Sequence, residues 1–291
     1  MSSDGPERPA QSGKHGLAVV DKATGWTSHD VVAKARGILG TRKIGHSGTL
    51  DPDATGVLLL GVGSVTRLLR FLSPLPKSYI AEFVFGVETN TLDAAGEVTA
   101  RHEMSFTADD VRVAASTLTG DILQVPPMVS AVQIGGQRLH DLARKGIEVE
   151  REARPVTVHR FATTPTDDPL VYRVEVECSS GTYVRSLAAD LGAALGGGAH
   201  LRALRRTAIG PFTEAIATPL EAITLLPPGA AVAHLPTLVV DRARVAVGGV
   251  VPGDSAEGDG PWAVFDGEEL LAVYERSRDR IKPAVVVLRT S

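Results

Sequence analysis

The chain has 291 residues, 43% hydrophobic and 22% charged, with 30 Lys and Arg against 34 Asp and Glu for a net charge of −4. That length supports a sizeable core in one large domain or two unequal ones, and the balance argues weakly against nucleic acid as a partner. No apolar run approaches the ~20 residues of a membrane helix, and a single cysteine, Cys178, excludes an internal disulfide and a multi-cysteine zinc site.

Residues 1–15 are rich in Ser, Gly and Pro, lack the apolar stretch of a secretory signal, and read as a disordered tail. With the missing membrane span, this points to the cytoplasm. LAVVDK (17–22) reads as a short buried strand. Thr27 and Asp30 then form a capping box ahead of Val31, Val32, Ala35, Ile38 and Leu39, whose spacing is helical, and Gly40 supplies the stop. A glycine-rich loop, GHSGTLDPDATG, runs into the apolar strand VLLLGVG (57–63). Ser64 is expected to cap a short helix carrying Val65, Leu68, Leu69 and Leu72, ended by Pro74.

SYIAEFVFG (78–86) alternates as a strand does, and Thr107 with Asp110 opens another helix that closes at Gly120. Residues 124–154 break the rhythm with a Pro pair, a Gly pair and scattered basic residues, as a long functional insertion does. VTVHRF and YRVEVECSS are strands, Cys178 being a small apolar residue on the second, which ends in a strand-to-helix turn at SSGTYVRSLAADLG. LRALRRTAIGPF returns as a strand, and LLPPGAAVAHLP (225–236) reads as a linker. About 55 further residues carry short apolar runs between Gly and acidic turns, the pattern of a small β-rich module. Strands and helices interleave without regular βαβ periodicity, so the class is α+β.

Positive charge is clustered despite the global balance: Lys34, Arg36, Arg42 and Lys43; Arg138, Arg144 and Lys145; Arg202, Arg205 and Arg206. Such runs are usually solvated faces, but three beside the richest motifs make a local basic surface. G-x-G-x-x-G, a P-loop, HExxH and G-x-S-x-G are all absent, which leaves carboxylates to carry any chemistry. Asp51 precedes Pro52 and is biased toward extended backbone, whereas Asp53 follows the proline and is equally suited to capping a turn. An Asx-turn accounts for either. Tyr183 and Arg185 in GTYVR project to the same side if that backbone is extended, and an arginine there can grip a carboxylate with both arms. Tyr79 starts an alternating strand, where half-buried packing is the ordinary role.

Taken together, GHSGTLDPDATGVLLLGVG resembles the signature of the bacterial tRNA pseudouridine-55 synthase family (TruB). VVDKATGWTSHDVV is similar to that family's opening segment, with Ala23 where proline is usual. KSYIAEFVFGVETNTLDAAG, QVPPMVSAVQIGG, CSSGTYVRSLAADLG and AHLRALRRTAIGPF follow in family order, so the resemblance runs from about Leu17 to Phe212. Asp53 stands where the family is commonly apolar or aromatic, and Val129 and Gln133 replace a frequent Tyr and Lys in the insertion.

The resemblance implies a pseudouridine synthase fold: a mixed, mainly antiparallel sheet with flanking helices over residues 16–235. An RNA-binding insertion falls at about 124–154, and a small β-barrel-like PUA-type domain at 236–291. It implies isomerisation of the uridine at position 55 in the T-psi-C loop of tRNA by base flipping, with no cofactor and no metal, and an accompanying role in tRNA folding. It makes Asp51 the catalytic carboxylate and Arg185 its ion-pair partner. Tyr79 stacks on the flipped uracil and is the candidate for proton transfer at carbon 5. Tyr183 and Leu204 line the pocket, and His46 helps hold the loop from which the uridine leaves. The expected partner is the tRNA T arm, with no membrane, no obligate protein partner and no guide RNA. A two-carboxylate glycosidase, a non-catalytic RNA-binding protein of the same fold and a guide-dependent synthase are the rival readings.

Overall fold

A computed structural model of the chain describes residues 14–130, 133–134, 137–138, 147 and 149–287. The first thirteen residues of the expected tail and much of the expected insertion lie outside these residues, as do Arg144 and Lys145, and His15 at the end of that tail is held against Ser64; Gln133 and Arg138 are described in their backbone only.

The chain opens with β1 (Gly16–Lys22), α1 (Ser28–Leu39), β2 (Ile44–Ser47) and β3 (Thr55–Val62). β1 pairs antiparallel with β3, and both are buried on their two faces. This is why they read as unbroken apolar runs rather than alternating ones. On one face Ala18, Val20, Leu58 and Leu60 meet Val31, Val32, Ala35 and Leu39 of α1. The capping box forms as expected: Thr27 accepts from the Asp30 amide, the Asp30 carboxylate accepts from the Thr27 amide, and Gly40 closes the helix at φ 65°.

Ser64 does not cap a helix. A 3-10 turn spans Gly63–Arg67, α2 is confined to Leu69–Leu72, and the Ser64 backbone and hydroxyl are engaged by His15. The extended residue ahead of the turn is Val62, which has no side-chain acceptor, and Ser64 already lies inside the turn.

β4 (Lys77–Phe85), the small pair β5 (Val87–Thr89) and β6 (Val98–Arg101), α3 (Ala108–Thr117) and β7 (Gly120–Gln124) come next. Then follow the two-residue strands β8 (Gln133–Ile134) and β9 (Gln137–Arg138), β10 (Arg154–Pro165), β11 (Val171–Cys178), α4 (Val184–Ala194) and β12 (Ala199–Ile209). β13 (Phe212–Thr213) and β14 (Thr218–Pro219) complete a ten-stranded sheet in the order β14-β1-β3-β12-β4-β11-β10-β7, with β2 on β3 and β13 on β12. α3 and α4 cover one face of its later half, where Phe83, Phe85, Val174 and Val176 meet Val111, Leu187 and Leu191.

All but two of that sheet's pairings are antiparallel; β1–β14 and β3–β12 are parallel. The β3–β12 contact is short, Arg205 opposite Thr55 and Arg206 opposite Gly56. It joins two antiparallel halves, and the loop entering β3 sits over the seam. Gly56, at φ +100°, makes the approach feasible: a Cβ there would overlap the Arg206 carbonyl.

After a short helix (Arg242–Ala246), strands β15 (Val251–Pro252), β16 (Trp262–Asp266), β17 (Glu269–Ser277) and β18 (Arg280–Val286) form a curled antiparallel sheet in the order β15-β18-β17-β16. The segment read as a linker is not a free tether. Ala231 and Val232 are fully buried, and they join Leu17, Val57 and Leu59 to Ala263, Leu270 and Val273 in one core. Small residues hid this burial, because Ala and Pro carry no helical or strand period.

Candidate active site

The loop over the seam is pinned at both ends by buried cations. Arg206, 1% exposed, donates to the carbonyls of Gly48, Thr49 and Val57 at 3.0, 3.4 and 2.7 Å. Lys22, also 1% exposed, donates to Pro52, Trp26 and Ala23 at 2.9, 2.7 and 3.0 Å. Between them the Ser28 hydroxyl accepts from the Leu50 amide at 2.9 Å, and Gly48 turns the chain at φ +77°. Burial lowers the Lys22 ammonium to about 8, against the opposing pull of Asp53 and Asp51. Glycines give this loop its shape, and the buried cations fix it.

Asp51 is thereby held half-buried above the sheet, facing the first turn of α4. Arg185 grips it side-on, Nε to Oδ2 at 3.1 Å and Nη2 to Oδ1 at 3.4 Å. The same guanidinium donates to the Val129 carbonyl at 2.8 Å and the Thr91 carbonyl at 3.1 Å, and pairs with Asp93 at 3.3 Å. Arg185 is 4% exposed, so this is a buried array and not a surface ion pair. Burial pushes the Asp51 carboxyl above the ordinary carboxylate value; Arg185 and Lys22 pull it down, and Asp93 and Asp53 push it up.

Asp53 is exposed, and the loop takes only its backbone carbonyl, from the Thr24 hydroxyl at 3.3 Å. The two acids are held differently: Arg185 grips the Asp51 carboxylate, while the Asp53 carboxylate makes no hydrogen bond among the described residues.

Asp51 opens into a cavity of about 270 Å³ walled by Lys77, Tyr79, Tyr183, Leu204 and Arg206. The side chain of Gln124 clamps the Tyr183 backbone, accepting its amide at 2.7 Å and donating to its carbonyl at 3.1 Å. Tyr183 keeps extended backbone as the N-cap of α4, but Arg185 already lies within the helix, so the two are not neighbours on one strand face. They reach the same cavity because the helix begins between them. Burial raises the pKa of the Tyr79 hydroxyl, and the nearby Arg206 guanidinium opposes the rise. The Lys77 ammonium, lowered to about 8 by burial and by Arg206, donates to the Ser73 and Leu75 carbonyls at 2.6 and 2.7 Å. His46 lies on β2 below the loop, beside His29 and Arg206, and is not part of the cavity wall.

Residues 36–184, half of the chain, match the family described as TruB family pseudouridylate synthase (N terminal domain), and residues 185–226 match the tRNA pseudouridylate synthase B C-terminal domain. The chain belongs to the TruB family. It is 44% identical over 294 residues to tRNA pseudouridine synthase B of Arthrobacter sp., covering 93% of this chain and 96% of that protein. The protein of the same name from Streptomyces coelicolor is 46% identical over 93% of this chain and 96% of its own length, and that from Nocardia farcinica is 55% identical over 72% and 69%. Among solved structures, a Cbf5-Nop10-Gar1 complex has a chain that superposes with a TM-score of 0.70 at 26% identity, covering 94% of this chain and 84% of its own. An H/ACA RNP bound to a substrate RNA containing 2'-deoxyuridine superposes equally well, 0.70 at 23% identity over 94% and 85%, and shows the shared fold.

Within the TruB framework, Asp51, Tyr79, Tyr183, Arg185 and Leu204 surround one cavity, and His46 stands outside it. The sequence reading missed Lys22, Asp93 and Gln124 and misread Arg206. Arg206 was grouped with Arg202 and Arg205 as a basic surface, but Arg202 pairs with Glu82, Arg205 with Asp21 and Glu214, and Arg206 is buried. That group is spent on internal pairing. Lys34, Arg36, Arg42 and Lys43 do remain exposed around the end of α1 and the start of β2.

Proposed function

We propose that the protein acts on tRNA and isomerises the uridine at position 55 of the T-psi-C loop to pseudouridine, with Asp51 as the catalytic carboxylate. The carrying observation is the Asp51–Arg185 contact at the mouth of a cavity walled by Tyr79, Tyr183 and Leu204. The reaction breaks the bond from ribose to nitrogen 1, rotates the uracil and rejoins it through carbon 5. Atoms and oxidation state are conserved, so a carboxylate and a proton acceptor meet its needs. Arg185 keeps Asp51 ionised although burial favours the acid. Whether Asp51 attacks the ribose, attacks the ring or assists elimination, each route starts from the carboxylate.

The uridine must leave its stack to reach the cavity. Extrusion costs a few kcal/mol, and stacking on an aromatic face returns about 1–3 kcal/mol. Tyr79 fits that role, and its hydroxyl, in the cavity wall beside Arg206, is the candidate for proton transfer at carbon 5. Tyr183 and Leu204 border the base, and His46 with the exposed basic residues near the end of α1 holds the loop and its phosphates. The protein works without a cofactor, an obligate protein partner or a guide RNA, in the cytoplasm. Residues 16–235 form the catalytic domain and 236–291 a PUA-like domain.

A tRNA transcript incubated with the protein and mapped for pseudouridine tests this directly. Modification confined to position 55 is expected; modification elsewhere, or none, sinks the assignment. For Tyr79→Phe, binding should persist because the ring remains, while turnover falls by about 10²-fold or more with the loss of a positioned proton acceptor. Equal rates for the variant and wild type in tritium release from [5-³H]uridine tRNA would remove the proton-transfer role and leave stacking.

A further inference from the structure

His46 stands two residues before the Gly48 turn with its ring half-buried. Its Nδ1 is buried without a hydrogen-bond partner among the described residues. A neutral imidazole has one N–H and one lone pair, and an orphaned buried N–H is the costlier of the two to hide. The hydrogen therefore belongs on Nε2. A second proton would bury that orphan, and burial, then His29 and Arg206, hold the His46 pKa below the ordinary imidazole value.

His29 is the second residue of α1, exposed, and set in place by the Thr27–Asp30 capping box. Its ring meets His46 edge to face, with centroids 5.3 Å apart and planes at 79°. Nothing in the chemistry above uses His29.

We propose that His29 is a positioning residue for His46, its ring contact fixing the imidazole so that Nε2–H is presented to an oxygen acceptor on the RNA loop. The inference rests on reading His46 as a contact to that loop. The neighbouring ring then supplies the orientation that a hydrogen bond to Nδ1 would ordinarily supply.

Steady-state tritium release from a tRNA transcript tests it with His29→Ala, His29→Phe, His46→Ala and the double variant His29→Ala/His46→Ala. His29 is exposed, so its replacements should fold. His29→Ala is expected to raise KM about three- to tenfold, the span of one edge-to-face ring contact, with kcat unchanged. His29→Phe keeps a ring edge and should restore KM, and the double variant should match His46→Ala. In ¹⁵N spectra of histidine-labelled protein, His29→Ala should move His46 from the Nε2–H tautomer toward a mixture. If His46→Ala raises KM while His29→Ala changes neither KM nor the His46 spectrum, positioning is overturned and the role of His46 survives. A further rise in KM in the double variant gives His29 its own RNA contact and also overturns positioning. If His46→Ala leaves KM unchanged, the loop-contact reading falls, and the inference falls with it.

Discussion

Asp51→Asn is expected to lower tritium release from carbon 5 by roughly 10⁴-fold, the upper end of what one positioned carboxylate supplies, with tRNA binding retained. Asn keeps the size of Asp, but one of the two oxygens that accept from Arg185 becomes an NH2 donor, so one arm of that grip is lost with the charge while Asp93, Val129 and Thr91 still hold the guanidinium. Asp53→Asn should change the neutral-pH rate little, because that side chain is exposed and its charge is the smallest of the influences named on the Asp51 pKa. The pH dependence has a definite sign. Burial raises the Asp51 pKa, so the wild-type rate should fall as pH drops through a value above the ordinary carboxylate one.

Stability runs the other way. A carboxyl whose folded pKa is raised contributes most below its unfolded pKa, and that contribution is lost as pH rises through the folded value. Asp51→Asn should therefore melt at or slightly above the wild-type temperature near neutral pH. A variant that melts lower and fails to bind tRNA would mean that Asp51 is structural. Release of free uracil by wild type would revive the glycosidase reading.

What the sequence made legible was mostly local. The capping box at Thr27 and Asp30 needs only residues three apart, and the VLLLG run announces a strand buried on both faces before any partner is known. Asp51 and Arg185 were legible only through several motifs in family order, since no local rule separates Asp51 from Asp53. The anchors escaped because their roles are made by register. Arg206 reaches Val57, Thr49 and Gly48 across about 150 residues of chain, and only the parallel seam of β3 and β12 brings them together. Written out, LRALRR is a basic run. Folded, alternation along β12 sends Arg205 to Asp21 on one face and Arg206 into the site on the other. Asp93 escaped likewise, since nothing in NTLDAAG signals a guanidinium 92 residues ahead.

Arg185→Met should be the most damaging change outside Asp51. Met fills the volume but leaves the Asp51 and Asp93 carboxylates, and the Thr91 and Val129 carbonyls, without their shared donor. Removing one partner of a buried pair costs about 3–5 kcal/mol. The lower end applies here, because the Asp51 side chain keeps 45% of its surface exposed and water screens part of the loss. Catalysis should fall by about 10²–10³-fold, the scale of removing one preorganised electrostatic partner.

The informative readout is the pH profile. Without Arg185 the principal pull lowering the Asp51 pKa is gone, while burial and Asp93 still raise it. The acid limb of the rate should then move to higher pH, and activity should partly recover in alkaline buffer. Arg185→Lys keeps a charge but not the fork, so its limb should move less while its rate stays low. Adding Asp93→Asn to Arg185→Met removes one of the stranded charges and should return part of the lost stability. If Arg185→Met loses activity with an unmoved acid limb, Arg185 positions the loop without controlling the ionisation of Asp51.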